Sequence, residues 1–132
     1  MKKFLLIPIF MAVLGMDAAV DSGAAAPSFT LTDIHGETVD SANFAGKVVV
    51  LEWINPKCPF VVKFYENGDM VKFQERAREL GAVWISISSN RPGAAQYMTP
   101  EENKVWAEKV GHQAIWLMDA EGAMGKAYGA QV

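Results

Sequence analysis

Apolar and polar positions fall into short blocks whose period changes along the chain. Residues 29–33 (Phe-Thr-Leu-Thr-Asp) alternate as in a half-exposed strand, and Asp33-Ile34-His35-Gly36 supplies a glycine-dependent turn. Glu37-Thr38-Val39 then returns as the second arm of a hairpin, with His35 solvated at its tip. The 41–46 segment predicts a short helical turn that tucks Phe44 into the core. Residues 48–53 (Val-Val-Val-Leu-Glu-Trp) are a near-continuous apolar run, as expected of a strand buried on both faces.

Beyond Cys58 the period becomes helical. Phe60, Val61 and Phe64 share one face, Asn67-Gly68 interrupts, and Asp69 is placed to cap a second helix. In that helix Met70, Phe73, Ala77 and Leu80 keep helical spacing up to Gly81. Residues 82–88 predict a second inner strand, and 89–98 a loop rich in Asn, Pro and Gly. Thr99-Pro100-Glu101-Glu102 is a capping box with proline at the first helical position. That helix runs to about Val110, where Gly111 stops it. A third buried strand follows at 114–118, then a turn at 119–122 and a short helix from Ala123 to Tyr128. A hairpin followed by β–α–β–α–β–α predicts an α/β fold with a parallel-dominated sheet.

At 132 residues the chain holds one domain. Twelve basic residues against 15 acidic, with no basic block, exclude a nucleic-acid binder. The N-terminus changes the picture more. Met1-Lys2-Lys3 precedes an apolar stretch over 4–15, and small residues follow at Ala18-Ala19 and again over 22–26. This reads as a secretory signal peptide over 1–19, with cleavage as late as 26, too short and one-sided to leave a stable membrane span. The expectation is an exported protein, periplasmic or extracytoplasmic, whose mature domain occupies 27–132.

Export to an oxidising compartment makes cysteine usage informative, and there is one cysteine, Cys58. It has no internal disulfide partner, so it serves chemistry, pairs with another molecule, or is a small core residue. Its setting is Trp53-Ile54-Asn55-Pro56-Lys57-Cys58-Pro59-Phe60-Val61, a strand exit running into a helix start. Pro59 suits the first helical position, and unpaired N–H groups, the helix dipole and Lys57 all favour a thiolate there.

W-x-N-P-x-C-P-F-V after an apolar strand, behind the Ala-Pro-Ser-Phe-Thr-Leu-Thr-Asp…Gly opening, resembles the redoxin branch of the thioredoxin-fold superfamily. That branch includes the alkyl hydroperoxide reductase/thiol-specific antioxidant (peroxiredoxin-like) proteins. The resemblance runs from about Pro27 to the last residue. It implies a thioredoxin-like fold with an N-terminal β-hairpin extension. It also implies that the cis-proline loop, the C-terminal strands and the last helix of the family are missing here, leaving one sheet edge and one core face open.

The resemblance further implies peroxide reduction, with Cys58 as nucleophile and an external thiol as reductant. Asn55 stands where peroxiredoxins carry a hydroxyl and offers an amide hydrogen bond instead. No arginine matches the family's catalytic one by motif; Arg91 is the nearest candidate, beside a reading as a solvated loop residue. Thioredoxin-like members use Cys-x-x-Cys, and here Val61 replaces the second cysteine, so any disulfide exchange runs through mixed disulfides with a partner. A third reading is a non-catalytic redoxin-like module or an inactive fragment. Trp53 and Phe60 are expected to wall the site. Glu52 and Lys57 are the charged candidates for tuning it, Glu52 equally as a structural charge at a strand end. His35 and His112 lack ligand spacing, so neither a metal nor a cofactor is implied.

Overall fold

A computed structural model describes residues 20–130, so the leader assigned to 1–19 lies outside the described residues. Strands β1 (Thr30–Asp33) and β2 (Thr38–Asp40) form the hairpin, with a 3-10 turn at Ser41–Phe44. Then come β3 (Val49–Trp53), α1 (Pro59–Glu66), α2 (Asp69–Glu79), β4 (Val83–Ser88), α3 (Pro100–Val110), β5 (Ile115–Met118) and α4 (Ala123–Ala127). The order and type of these elements match the sequence pattern, with ends moved by one or two residues.

The sheet order is β2-β1-β5-β4-β3. β3, β4 and β5 are parallel neighbours, and β1 runs antiparallel to both β5 and β2. The arrangement is a thioredoxin-like α/β sheet with an N-terminal hairpin added at one side. One face carries α1, α2 and α3 over a core of Ile34, Ile54, Tyr65, Ala107 and Trp116. The other face buries Ile85, Ile87, Leu117 and Met124 under the hairpin side chains and α4.

Three expectations are corrected, the last at the start of α2. Among the described residues β3 pairs with β4 alone, so it is an edge strand there, half-buried along its whole length, with Val48 just before it 71% exposed. Its apolar run marks a strand partly, not fully, covered on each face, with Val49, Leu51 and Trp53 packed on one and Glu52 beneath Tyr65 on the other. Beside β3 and the hairpin lies a cavity of about 600 Å³, lined by Phe29, Phe44, Val49, Leu51 and Tyr128 among others. In the helices, Phe60 and Phe64 face outward, as do Phe73 and Leu80, while Tyr65 and Gln74 are buried. Of the apolar positions on these helices, Val61 and Met70 pack against the core, and Tyr65 and Gln74 complete the inward side. The inward side thus carries a phenol and an amide as well as apolar groups.

α3 begins as the motif requires. The Thr99 hydroxyl accepts from the Glu102 N–H at 3.2 Å, and the Glu102 carboxylate accepts from the Thr99 N–H at 2.7 Å. Asp69 is the first residue of α2 rather than its cap. Gly68, at φ 80°, turns the chain there, and the Asn67 side-chain oxygen accepts from the Asp69 N–H.

Candidate active site

The turn between β3 and α1 is built by its own sequence. The Asn55 side-chain oxygen accepts from the Lys57 N–H at 2.9 Å, and the Asn55 carbonyl accepts from the Cys58 N–H at 2.9 Å. This side-chain turn is a local alternative to helix, and it delivers the chain to Cys58 in an extended conformation (φ −82°, ψ 121°). Cys58 is thus the residue flanking the helix start, and Pro59 is the first helical residue, where its missing N–H costs nothing. No side chain caps this end, so the positive end of the helix is left open beside a half-buried free thiol.

The remaining candidates separate. Lys57 does not reach a carboxylate: its Nζ donates to the Ala95 carbonyl at 3.0 Å and the Tyr97 carbonyl at 2.8 Å. The Asn55 amide nitrogen faces Gln96 Oε1 at 3.5 Å, at the outer limit of a hydrogen bond. Both residues therefore engage the 89–98 loop. Phe60 stands 73% exposed in the first turn of α1. Trp53 turns to the sheet face opposite α1, where its indole N–H donates to Ser89 Oγ at 3.1 Å and its ring lies 5.9 Å from that of Tyr128. Arg91 is exposed in the loop.

Glu52 lies on the helix-bearing face and is the centre of a network the sequence did not reveal. One carboxylate oxygen accepts from the Tyr65 hydroxyl at 2.7 Å, the Trp84 indole at 2.9 Å and the Ser86 hydroxyl at 3.0 Å. Tyr65 in turn accepts from Gln74 at 2.9 Å, and Gln74 accepts from the Gln113 N–H at 3.0 Å. Ser86 Oγ also meets His112 Nε2 at 2.8 Å. A hydroxyl has one proton, and that of Ser86 goes to Glu52, so His112 Nε2 must carry the hydrogen and donate. Every bond in the network therefore points toward the carboxylate. Burial, then the charge and hydrogen bond of Glu52, hold the Tyr65 phenol well above its ordinary value. Burial pushes His112 down to about 4. The one signal available beforehand was a glutamate inside an apolar strand, which needs donors wherever it is buried.

Among the described residues, no group of three His, Cys, Asp or Glu side chains is placed to hold a metal ion. No helix among them is long and apolar enough to cross a membrane.

No curated protein matches the chain. Among solved structures, a hypothetical protein from Sinorhizobium meliloti is 28% identical with a TM-score of 0.74, covering 85% of this chain and 61% of that one. An uncharacterised conserved protein from Geobacillus kaustophilus is 27% identical with a TM-score of 0.74, covering 88% and 60%. The chain thus spans about three-fifths of the length of each. A secreted Mycobacterium tuberculosis disulfide oxidoreductase homologous to E. coli DsbE shares the fold at 21% identity and a TM-score of 0.59, covering 73% and 63%. The sequence profile of the redoxin family matches residues 21–132, and with this sheet order and these neighbours the chain belongs to the redoxin family of the thioredoxin-fold superfamily.

Proposed function

We propose that the protein is an exported thiol-dependent oxidoreductase that reduces peroxide through Cys58. The observation carrying this reading is a half-buried free thiol at the uncapped N-terminus of α1, within the redoxin-matched region. A thiolate there attacks one peroxide oxygen. The S–O bond forms as the O–O bond breaks, and the leaving oxygen takes a proton and departs as water or an alcohol. The resulting sulfenic acid condenses with an external thiol, releasing water, and a second thiol frees Cys58 from the mixed disulfide. Since the chain has a single cysteine, both reducing equivalents come from outside it.

Thiol–disulfide exchange through mixed disulfides is the second reading. Two observations favour it: the oxidoreductase activity named for the mycobacterial neighbour, and the use of Asn55 and Lys57 to hold the loop. Export rests on the N-terminal leader pattern, and the neighbour described as secreted agrees with it.

The test is the intact mass of the reduced protein after brief exposure to near-equimolar hydrogen peroxide with a sulfenic-acid trap, folding being checked by circular dichroism. A single trapped adduct, formed far faster than on free cysteine and absent in Cys58→Ser, is expected. Slow adduct formation with rapid mixed-disulfide formation would move the assignment to exchange. A folded protein inert to both would make it a non-catalytic redoxin-like module.

A further inference from the structure

We infer that Lys57 is a positioning residue that controls which reaction partners reach Cys58, by tying the 94–97 turn to the turn that carries the thiol. The inference deepens the proposed function, since it concerns access to the same thiol.

The 89–98 loop joins β4 to α3 and has no regular structure of its own. It holds its shape at 91–97 through two local bonds, from the Ala94 N–H to the Arg91 carbonyl and from the Tyr97 N–H to the Ala94 carbonyl. Among the described residues, the hydrogen bonds that reach 94–97 from outside the loop come from two residues only. Lys57 Nζ supplies the two short ones, to Ala95 and Tyr97, and Asn55 supplies the long one, to Gln96. Both donors belong to the turn immediately before Cys58.

Lys57 is suited to this task by its chemistry. An ammonium has three donors and no acceptor, and its flexible stem lets one head satisfy two carbonyls of a turn at once. Four ion pairs occur among the described residues, and none includes Lys57. Its contacts are with neutral carbonyls, which makes it a tie rather than half of an ion pair. Its backbone is fixed as well, since its own N–H is held by the Asn55 side chain. The 94–97 turn is therefore held within one lysine side chain's reach of the turn that carries Cys58, and in this inference it is the rim that an approaching partner meets. With the tie in place, a small molecule meets a thiol beside a fixed rim. Without it, the turn swings free and a bulky partner gains access.

The test compares wild type with Lys57→Met and Lys57→Arg, using two reagents that modify any accessible thiol. One is small, iodoacetamide; the other is a maleimide bearing a large fluorophore. Lys57→Met is expected to raise the ratio of bulky to small reaction rates about fivefold or more. The pH of half-maximal iodoacetamide rate is expected to stay in place, and the Ala94 and Tyr97 amides to exchange hydrogen faster. Lys57→Arg, which keeps long-reach donors, should restore most of the ratio. A common change in both rates with a displaced pH midpoint would overturn the inference in favour of charge tuning. An unchanged ratio with unchanged exchange would overturn it outright. Because alkylation needs no redox activity, an inert response to peroxide and disulfides in wild type would count against the proposed function and leave this test intact.

Discussion

The Tyr65 hydroxyl lies 2.7 Å from a carboxylate oxygen of Glu52, joining the end of α1 to the strand that leads into the cysteine turn. Tyr65 is 2% exposed, and its ring also packs edge-on against Trp106 of α3 at 5.1 Å. One phenol thus fixes helix, strand and neighbouring helix together. A hydrogen bond to a charged group in such a place contributes more than a neutral one, because a carboxylate removed from water needs every donor it is given.

Tyr65→Phe keeps the ring and removes the hydroxyl, leaving Gln74 without its acceptor and Glu52 with two donors. The expected loss is about 1–3 kcal/mol of unfolding free energy, measured by urea denaturation at neutral pH. A change under a few tenths would show that water replaces the hydroxyl without cost.

His112 predicts a pH dependence whose sign follows from its burial. Its folded value near 4 lies below the ordinary 6.5, so between those limits the unfolded chain binds a proton that the folded chain does not. Stability therefore falls as pH drops from about 6.5 toward 4, by about 3 kcal/mol in all from this group. His112→Gln keeps a donor for Ser86 and removes the titration. Denaturation at pH 7, 5.5 and 4.5 should show a shallower decline in the variant, and parallel declines would contradict the assignment.

Asp119 is 1% exposed and holds the second face together. Its carboxylate accepts from the Ser89 hydroxyl at 2.7 Å and from the N–H groups of Gly125 at 2.9 Å and Met124 at 3.3 Å. Ser89 in turn accepts from the Trp53 indole. Asp119→Ala leaves these donors unpaired in the interior, at an expected cost of about 3 kcal/mol or more. Altered tryptophan emission should accompany it, since the Trp53 partner loses its anchor. An unchanged emission spectrum in a destabilised variant would place the effect at α4 alone.

The cap of α3 gives a smaller and cleaner effect. Thr99→Ala is expected to lower stability by about 1 kcal/mol. The Thr99 backbone and side-chain bonds hold the Glu102 carboxyl below its ordinary value. The contribution of Glu102 is therefore present above the usual carboxylate range and is lost as pH falls through the lowered value. In Glu102→Gln that acid-side loss should vanish from the pH–stability profile.

Much of the molecule was legible in the sequence, and what was legible is local. The order of elements, the hairpin turn at Gly36, the capping box at Thr99 and Glu102, and the placement of Cys58 ahead of Pro59 depend on residues a few positions apart. Their backbone geometry is dictated by bonds that close within one turn. The resemblance of the 53–61 stretch to redoxins rests on the same short-range pattern.

Strand order, exposure and the polar network were decided only in three dimensions. An apolar run such as 48–53 states that a strand has apolar sides, but whether it lies at the centre or the edge depends on which strands lie next to it. Glu52, Tyr65, Gln74, Trp84, Ser86 and His112 come from four elements and one loop, and nothing in their spacing announces that they meet. Lys57 read as a charge beside a thiol; the fold brought two carbonyls from nearly forty residues away and made it a tie. The physical reason is common to all three: local bonds are set by neighbours in the chain, whereas burial and pairing are set by neighbours in space.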